Sequence, residues 1–412
     1  MNKEKIKRAE VLSPAGDMER FLAAVNFGAD AVYLAGKSFG MRTSPSNFSK
    51  EDLKNAIDYA HLNGVKVYLT CNTLPRNNEI DHLPEFVETA RDLGIDAFIV
   101  ADVGTLALIK KLAPKTDVHV STQAGVVNYL TAKTFHEMGA KRVVLARELS
   151  LSEIAEIRQK TDENLELEAF VHGSMCVSFS GRCLLSSYLT GRDANRGDCA
   201  QPCRWKYNLV EENRQGQYFP VFEEADGTYF LNSRDLCMIE HIDKLVKAGV
   251  NSLKIEGRAK SAYYVAVTTN AYKMALLDYY SFTGNTGTTW QVKPWMKDEL
   301  EKISHREYNT GFYFNSEPGQ VYSNGGYIRN YDVVGVCEGY ENGMLLVTQR
   351  NKFSTGDTLD VLEPGRAPFV FKVEKMYDEW NNEIVSAPHA MQKVYIPFEK
   401  NIKKGAFLRK RR

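Results

Sequence analysis

Five cysteines fall within about sixty residues of one another: Cys176, Cys183, Cys199, Cys203 and Cys237. Thiolates are soft ligands suited to zinc or to iron–sulfur clusters, and a closed site of either kind takes four. Only Cys199 and Cys203 resemble the short knuckle of a zinc ribbon, whereas six residues separate Cys176 from Cys183. This irregular spacing suits a cluster better than a structural zinc ribbon, and five thiols so close together fit poorly with simple core packing. Cys71 and Cys337 lie apart, in separate apolar runs, and read as ordinary buried thiols.

The neighbours of the cysteines extend the pattern. Gly173, Gly181, Gly191 and Gly197 allow close backbone approach to a metal or cluster. Arg182, Arg192, Arg196 and Arg204 offset cluster charge or bind an anionic substrate, or form surface salt bridges. Trp205 and Tyr207, beside Arg204 and Lys206, are either base-stacking platforms or core aromatics.

A second set of polar residues ends short apolar runs: Ser13, Asn72, Thr122 with Gln123, Arg147 with Glu148, His172, and Glu256 with Arg258. Each is equally readable as a helix cap, a loop hydrogen bond or a rim ion pair. Glu168, His172, Glu256 and Arg258 are the catalytic candidates, and Arg147, Arg192 and Arg196 the candidates for binding an anionic cofactor or co-substrate. Glu168 sits inside an apolar run, so it needs a partner or a raised pKa. Arg258 is the expected partner. No G-x-S-x-G elbow and no H-E-x-x-H is present. His172 lies four residues before Cys176, but a cysteine peptidase would need one reactive thiol, not five.

Positioning these groups falls to eight β-branched runs: Glu10–Gly16, Ala31–Gly36, Lys66–Asn72, Ala97–Asp102, Asp117–Gln123, Arg142–Glu148, Leu167–Gly173 and Ser252–Arg258. Amphipathic stretches such as MERFLAAVNFG and LPEFVETARDLG separate them, with apolar residues at i, i+3 and i+4. Five such stretches end in Gly just before the next run (FGADAV, NGVKVY, LGIDAF, MGAKRV, AGVNSL), as C-capped helices do. Eight β/α units without a G-x-G-x-x-G turn predict a closed (β/α)8 TIM-like barrel rather than an open dinucleotide-binding sheet. The spacing breaks once, between the seventh and eighth strands, where a Cys-rich insertion spans 174–250. A loop after a barrel strand lies on the C-terminal face, where barrel active sites sit. The barrel domain is expected over 1–315. From 319 to 412 short alternating strands with Gly/Asn turns predict a small antiparallel β-barrel or sandwich.

Composition narrows the class. The 412 residues are 43% hydrophobic and 25% charged, enough to bury a core without a metal staple. Formal net charge is zero, which argues against a uniformly basic nucleic-acid surface and leaves room for a local one. The terminal KNIKKGAFLRKRR carries seven Lys/Arg and no acid, and reads as a solvated, frayed basic tail. The N-terminus MNKEKIKRAEVL lacks an apolar signal core, and no run of 18 apolar residues occurs. With an odd cysteine count, these features point to a reducing, cytoplasmic setting without a membrane span.

The run EAFVHGSMCVSFSGRCLLSSYLTGRDANRGDCAQPCRWKY resembles the signature of the peptidase U32 family. EVLSPAGDMERFLAAVNFGADAVYLAGKSFGMR and NSRDLCMIEHIDKLVKAGVNSLKIEGRAKS resemble two further blocks of it, and the likeness covers essentially the whole chain. The resemblance implies one of two activities. One is a collagenase-type endopeptidase, from which the family takes its label. The other is oxygen-independent hydroxylation, of wobble uridine in tRNA to 5-hydroxyuridine, of a ribosomal RNA cytidine, or in ubiquinone synthesis. The GDCAQPCRWKY block is most similar to the bacterial tRNA-hydroxylation branch, which implies tRNA as partner and prephenate as co-substrate. It also implies a paralogous partner chain or a homo-oligomer. The spacing of Cys176, Cys183, Cys199 and Cys237 is similar to a family quartet that holds a [4Fe–4S] cluster, with Cys203 then spare. A zinc-containing scaffold that binds RNA or a partner is the remaining alternative.

Overall fold

The structure is a computed structural model. It describes residues 8–40, 47–176, 178–179, 183–194, 197–205, 209–210, 218–219, 233–283, 288–315 and 327–412. Seven parallel strands run in chain order, β1 (Glu10–Pro14), β2 (Ala31–Leu34), β3 (Lys66–Cys71), β4 (Ala97–Val100), β5 (Asp117–Val120), β6 (Arg142–Val144) and β7 (Glu166–Ser174). The eighth, Ser252–Ile255, pairs in parallel with both β1 and β7, setting Ser252 opposite Glu10 on one side and Glu168 on the other. That double pairing closes the (β/α)8 barrel the sequence predicts. All five glycines expected to end helices (Gly28, Gly64, Gly94, Gly139, Gly249) adopt positive φ.

The strands are buried on both faces, which is why they read as nearly continuous apolar runs. Their outward side chains, such as Val11, Val32, Val67 and Leu167, join the main core under the helices. The inward set is small, with Leu12, Ala31, Tyr33, Tyr68, Ala97 and Ile99 clustering together. The rest of the barrel interior is charged. Arg142 donates from Nη2 to Glu166 at 2.7 Å and from Nη1 to Glu168 at 3.0 Å, and also pairs with Glu10. Lys254 donates to the other oxygen of Glu168 at 2.6 Å. Glu168 therefore has Arg142 and Lys254 as partners, not Arg258 as expected. Register explains the difference: Glu168 lies beside Val144 and Ser252, each two residues from Arg142 and Lys254 respectively.

The insertion returns to the barrel through the short strand Asp235–Cys237, antiparallel to the overhanging end of β7 with Cys237 opposite His172. The helix Ala262–Ser281 then closes the barrel; Tyr263, Tyr264, Val267, Thr269 and Asn270 on it are all buried. No helix among the described residues is long and apolar enough to cross a membrane.

The C-terminal part is an eight-stranded antiparallel sheet with its own core, including Val334, Leu345, Val347, Val361, Val394 and Leu408. The basic terminus is not a frayed tail. Phe407–Arg411 is an interior strand, paired with Tyr331–Glu341 on one side and Thr358–Leu362 on the other. Three of the terminal cations are paired within the chain: Arg409 with Glu299 and Asp360, Lys410 with Asp357, and Arg412 with Asp332. Arg409 is fully buried, and Glu299 belongs to the barrel-side helix Pro294–Leu300, so this network fastens the sheet to the barrel.

Candidate active site at the barrel mouth

The C-terminal ends of the strands surround a cavity of ≈ 210 Å3. Strand ends supply Tyr33, Thr70 and Asn72 on one side, and the turns after β5 and β6 supply Thr122, Gln123 and Arg147. Phe170 and Ser174 of β7, Lys254 of the eighth strand, and Glu256 and Arg258 of the turn that follows it form the opposite wall. The insertion contributes Cys176, Phe179, Cys183, Cys199 and Cys203.

Local sequence explains how these groups face inward. Lys254 faces inward from the eighth strand, and Glu256 and Arg258 carry the same two-residue spacing into the turn beyond Ile255. Two close approaches fix the rim. A Cβ on Gly173, whose φ is +110°, would sit 2.6 Å from the Glu256 carbonyl oxygen. A Cβ on Gly16 would sit 2.0 Å from that of Arg258. Any larger residue at either place pushes the eighth strand out of position.

The cavity is rich in cations. Arg258 is buried and donates to Thr70 Oγ1 at 3.3 Å. Arg147 stacks on Phe170 at 4.9 Å, donates to the Ser174 carbonyl at 3.0 Å and reaches Cys176 Sγ at 3.6 Å. Burial opposes the charge on Arg147, but Cys176, Glu256 and Glu148 outweigh it and hold the guanidinium above its ordinary range. Asn72 donates to Ser121 Oγ at 3.3 Å, which orients its amide along the wall.

Not every residue singled out by sequence arrives there. Ser13 faces the closing helix and shares a hydrogen bond of 2.8 Å with Thr269. Glu148 is not on the cavity wall. Glu168 lies beneath it, fully buried and holding Lys254 from below. His172 is also off the wall, packed among the rings of Tyr264, Tyr272 and Tyr308 at 5.4–5.9 Å. Burial pushes its imidazole down to about 3, and its Nε2 has no hydrogen-bond partner among the described residues. A register shift between Lys254 and Ile255, opposite Phe170 and His172, breaks the alternation that would have turned His172 inward. Arg192 is exposed and pairs with Asp198 at 2.7 Å, and Trp205 is exposed. Arg182, Arg196, Lys206 and Tyr207 lie outside the described residues, as does the Arg204 side chain. Lys254 was missed in the sequence, although the alternation that marks Glu256 and Arg258 marks it equally.

The thiols divide. Cys176, Cys183, Cys199 and Cys203 share the cavity wall. Cys237 is off it, 3.9 Å from the Tyr272 hydroxyl, and burial pushes its thiol up to about 11. The donor chemistry is that of a soft metal or cluster site. As placed, however, no three His, Cys, Asp or Glu side chains among the described residues are gathered closely enough to hold a metal ion. The implied quartet with Cys237 is therefore not closed in this arrangement, and no chemical step is routed through it. Cys71 and Cys337 are buried, with thiols pushed up to about 12 and about 11 by desolvation.

The chain is 36% identical over 409 residues to tRNA hydroxylation protein P1 of Bacillus subtilis, covering 98% of this chain and 95% of that one. It is 33% identical to a 23S rRNA 5-hydroxycytidine synthase of Escherichia coli, covering 96% of this chain and 59% of the relative. It is 29% identical to a protein named collagenase from Porphyromonas gingivalis, covering 96% and 95%. The family model of peptidase family U32 matches residues 16–322, and that of the family's C-terminal domain matches 329–409. The chain belongs to peptidase family U32.

Proposed function

We propose that this protein is an RNA hydroxylase that converts the wobble uridine of tRNA to 5-hydroxyuridine without molecular oxygen. Relatives named for tRNA hydroxylation and rRNA hydroxycytidine synthesis support the reaction class. The observation that carries the reading on this chain is the cavity wall. It combines three cations (Arg147, Lys254, Arg258), the rings of Tyr33 and Phe170, and four thiols, yet holds no histidine among the described residues. A cysteine peptidase needs a base beside its thiol, and His172 lies off the wall that carries the four thiols. An anionic substrate with a flat base suits the same wall.

Replacing a C5–H by a C5–OH is a two-electron oxidation. With water as the oxygen source it releases two electrons and two protons, so a separate redox partner must accept the electrons. Prephenate, whose own loss of CO2 and hydroxide is redox-neutral, is the anionic co-substrate proposed here, its carboxylates met by Arg147 and Arg258. Glu256 is the wall's carboxylate and the proton acceptor in this reading. An iron–sulfur cluster, when bound, supplies one-electron chemistry or substrate activation. Cys176, Cys183 and Cys199 are its proposed ligands, with Cys237 as the fourth and Cys203 as the competitor for that place. Arg192 and Arg196 on the insertion are the further proposed anion contacts, Arg192 exchanging its Asp198 partner for the ligand. A cytoplasmic location follows from a tRNA substrate, and a paralogous chain of the family is the proposed partner.

The test is nucleoside mass spectrometry of tRNA from a deletion strain, run beside a gelatin-cleavage assay of the purified protein. Missing 5-hydroxyuridine without gelatin cleavage supports the hydroxylase. Normal tRNA with cleavage lost on Cys176→Ala supports the peptidase instead.

A further inference from the structure

A second cleft, of ≈ 500 Å3, opens beside the cavity and shares Ser174, Gln201 and Glu256 with it. One wall is the turn that leads into the closing helix, with Lys260 and Tyr264. The other is the start of the C-terminal part, with Tyr327, Arg329 and Tyr331. Lys302 and Ser304 lie between them.

The base of this cleft is built to stay in place. Lys302 donates to Asp360 at 2.6 Å and pairs with Glu299 at 2.8 Å. Both carboxylates also take the buried Arg409, whose other Nη donates to Tyr263 at 2.9 Å. Barrel and sheet are thus fixed to each other directly under the cleft, and Lys302 is fully compensated.

Lys260 and Arg329 are not compensated in that way. Lys260 Nζ lies over the rings of Tyr327 and Tyr264, at 4.4 and 5.3 Å from their centroids. No carboxylate among the described residues forms an ion pair with it; Asp235, whose carboxyl it helps to hold down, is itself paired with Arg306 at 2.6 Å. Aromatic faces hold an ammonium in position without neutralising it. Arg329 donates to Ser304 Oγ at 3.1 Å and likewise has no carboxylate partner among the described residues. Glu256 is the single acid on the cleft wall among the described residues, and it stands at the junction with the cavity.

We infer that this cleft receives the phosphodiester backbone of a single-stranded RNA segment flanking the nucleotide held in the cavity, with Lys260 and Arg329 as its phosphate contacts. The inference rests on the RNA reading of the cavity. Continuity favours a polymer: a strand with one base in the cavity crosses Gln201 and Glu256 and continues into the cleft. Size favours a single strand, because a pocket of this volume admits a nucleotide and not a duplex. The chemistry, cations set among tyrosine rings, is that of single-strand binding. It also accounts for RNA binding by a chain of zero net charge, since the affinity is concentrated in a few uncompensated cations.

The test is fluorescence anisotropy with a labelled, unmodified tRNA anticodon stem-loop, titrated at several salt concentrations against the full chain. Proteins compared are wild type, Lys260→Ala, Arg329→Ala, the double variant, and Lys133→Ala on a remote barrel helix. Each cleft variant is expected to bind about five- to tenfold more weakly at low salt. Each should lower the slope of log affinity against log salt by about 0.7, the value for one single-strand phosphate contact. The double variant should lose about twice that slope, and Lys133→Ala should match wild type. Wild-type affinity and slope in the double variant would overturn the cleft assignment while leaving the RNA reading intact. A double variant that binds RNA normally but needs more co-substrate would put a small anion in the cleft, and overturns it too. Failure of wild type itself to bind the stem-loop would instead overturn the RNA reading, and this inference with it.

Discussion

Lys254 Nζ donates to Glu168 Oε1 at 2.6 Å immediately below the cavity. The lysine lines the cavity and the carboxylate does not, so Glu168 acts through Lys254, as a positioning residue. The other oxygen of Glu168 takes Arg142, which joins the site to the ionic floor of the barrel.

Glu168→Gln should cost about 3–5 kcal/mol in chemical denaturation, because it leaves Lys254 buried without its counter-charge. Glu168→Leu combined with Lys254→Met should recover most of that loss, since both charges are then gone. Burial raises the Glu168 pKa, but Lys254 and Arg142 outweigh it and hold the carboxyl below 4.5. Its stabilisation is thus present above the unfolded value and lost as pH falls through the depressed folded one. Wild type should lose stability on acidification below about 4.5, and a variant lacking the carboxylate should lose less.

His172 titrates in a different window. Its folded pKa of about 3 lies below the ordinary 6.5, so the unfolded chain binds the proton first. Stability should therefore fall, by up to about 1.4 kcal/mol per pH unit, as pH drops from 6.5. His119 is buried and shifted down as well and adds to the slope. His172→Phe should flatten that part of the stability profile that His172 contributes. Because His172 is off the cavity wall, tRNA modification at neutral pH should stay within a few-fold of wild type. Loss of modification in a folded His172→Phe protein would show that the imidazole reaches the chemistry.

Arg409→Ala leaves Glu299 and Asp360 facing each other in a buried space with only Lys302 between them. A loss of about 3–5 kcal/mol is expected, read by denaturant titration, together with faster proteolysis between barrel and sheet. A frayed tail would instead tolerate the substitution.

The thiols give a metal-analysis prediction. Cys176→Ala, Cys183→Ala and Cys199→Ala should each abolish bound iron and sulfide after anaerobic purification. Cys237→Ala should do the same and Cys203→Ala should not, if the closed site recruits Cys237 away from Tyr272. The opposite result for these two would assign the fourth place to Cys203, which already shares the wall.

Much of the architecture was legible because buried parallel strands are apolar on both faces and their helices end in glycine. Glu256 and Arg258 were legible from position alone, at the end of a strand on the active face. The partner of Glu168 was not, because sheet register sets Arg142 and Lys254 beside it, and register lies between strands that are distant in sequence. His172 was misplaced by a local register shift, which leaves no mark in composition. The strand Phe407–Arg411 read as a tail because its charges look solvated. The groups that neutralise them, Glu299, Asp360, Asp357 and Asp332, become neighbours only after folding. The cleft beside the cavity was invisible for the same reason, with Lys260 and Arg329 brought together from two parts of the chain.

The central claim is that RNA is hydroxylated in the cavity at the barrel mouth. Its most direct test is the 5-hydroxyuridine content of tRNA from a deletion strain complemented with wild type or with Glu256→Gln, a near-isosteric change at the wall. Wild type should restore the modification, and the variant, expressed and folded to the same extent, should leave it at least a hundredfold lower, roughly the contribution of a general base. Full restoration by Glu256→Gln would contradict the assignment of this cavity as the site of the reaction.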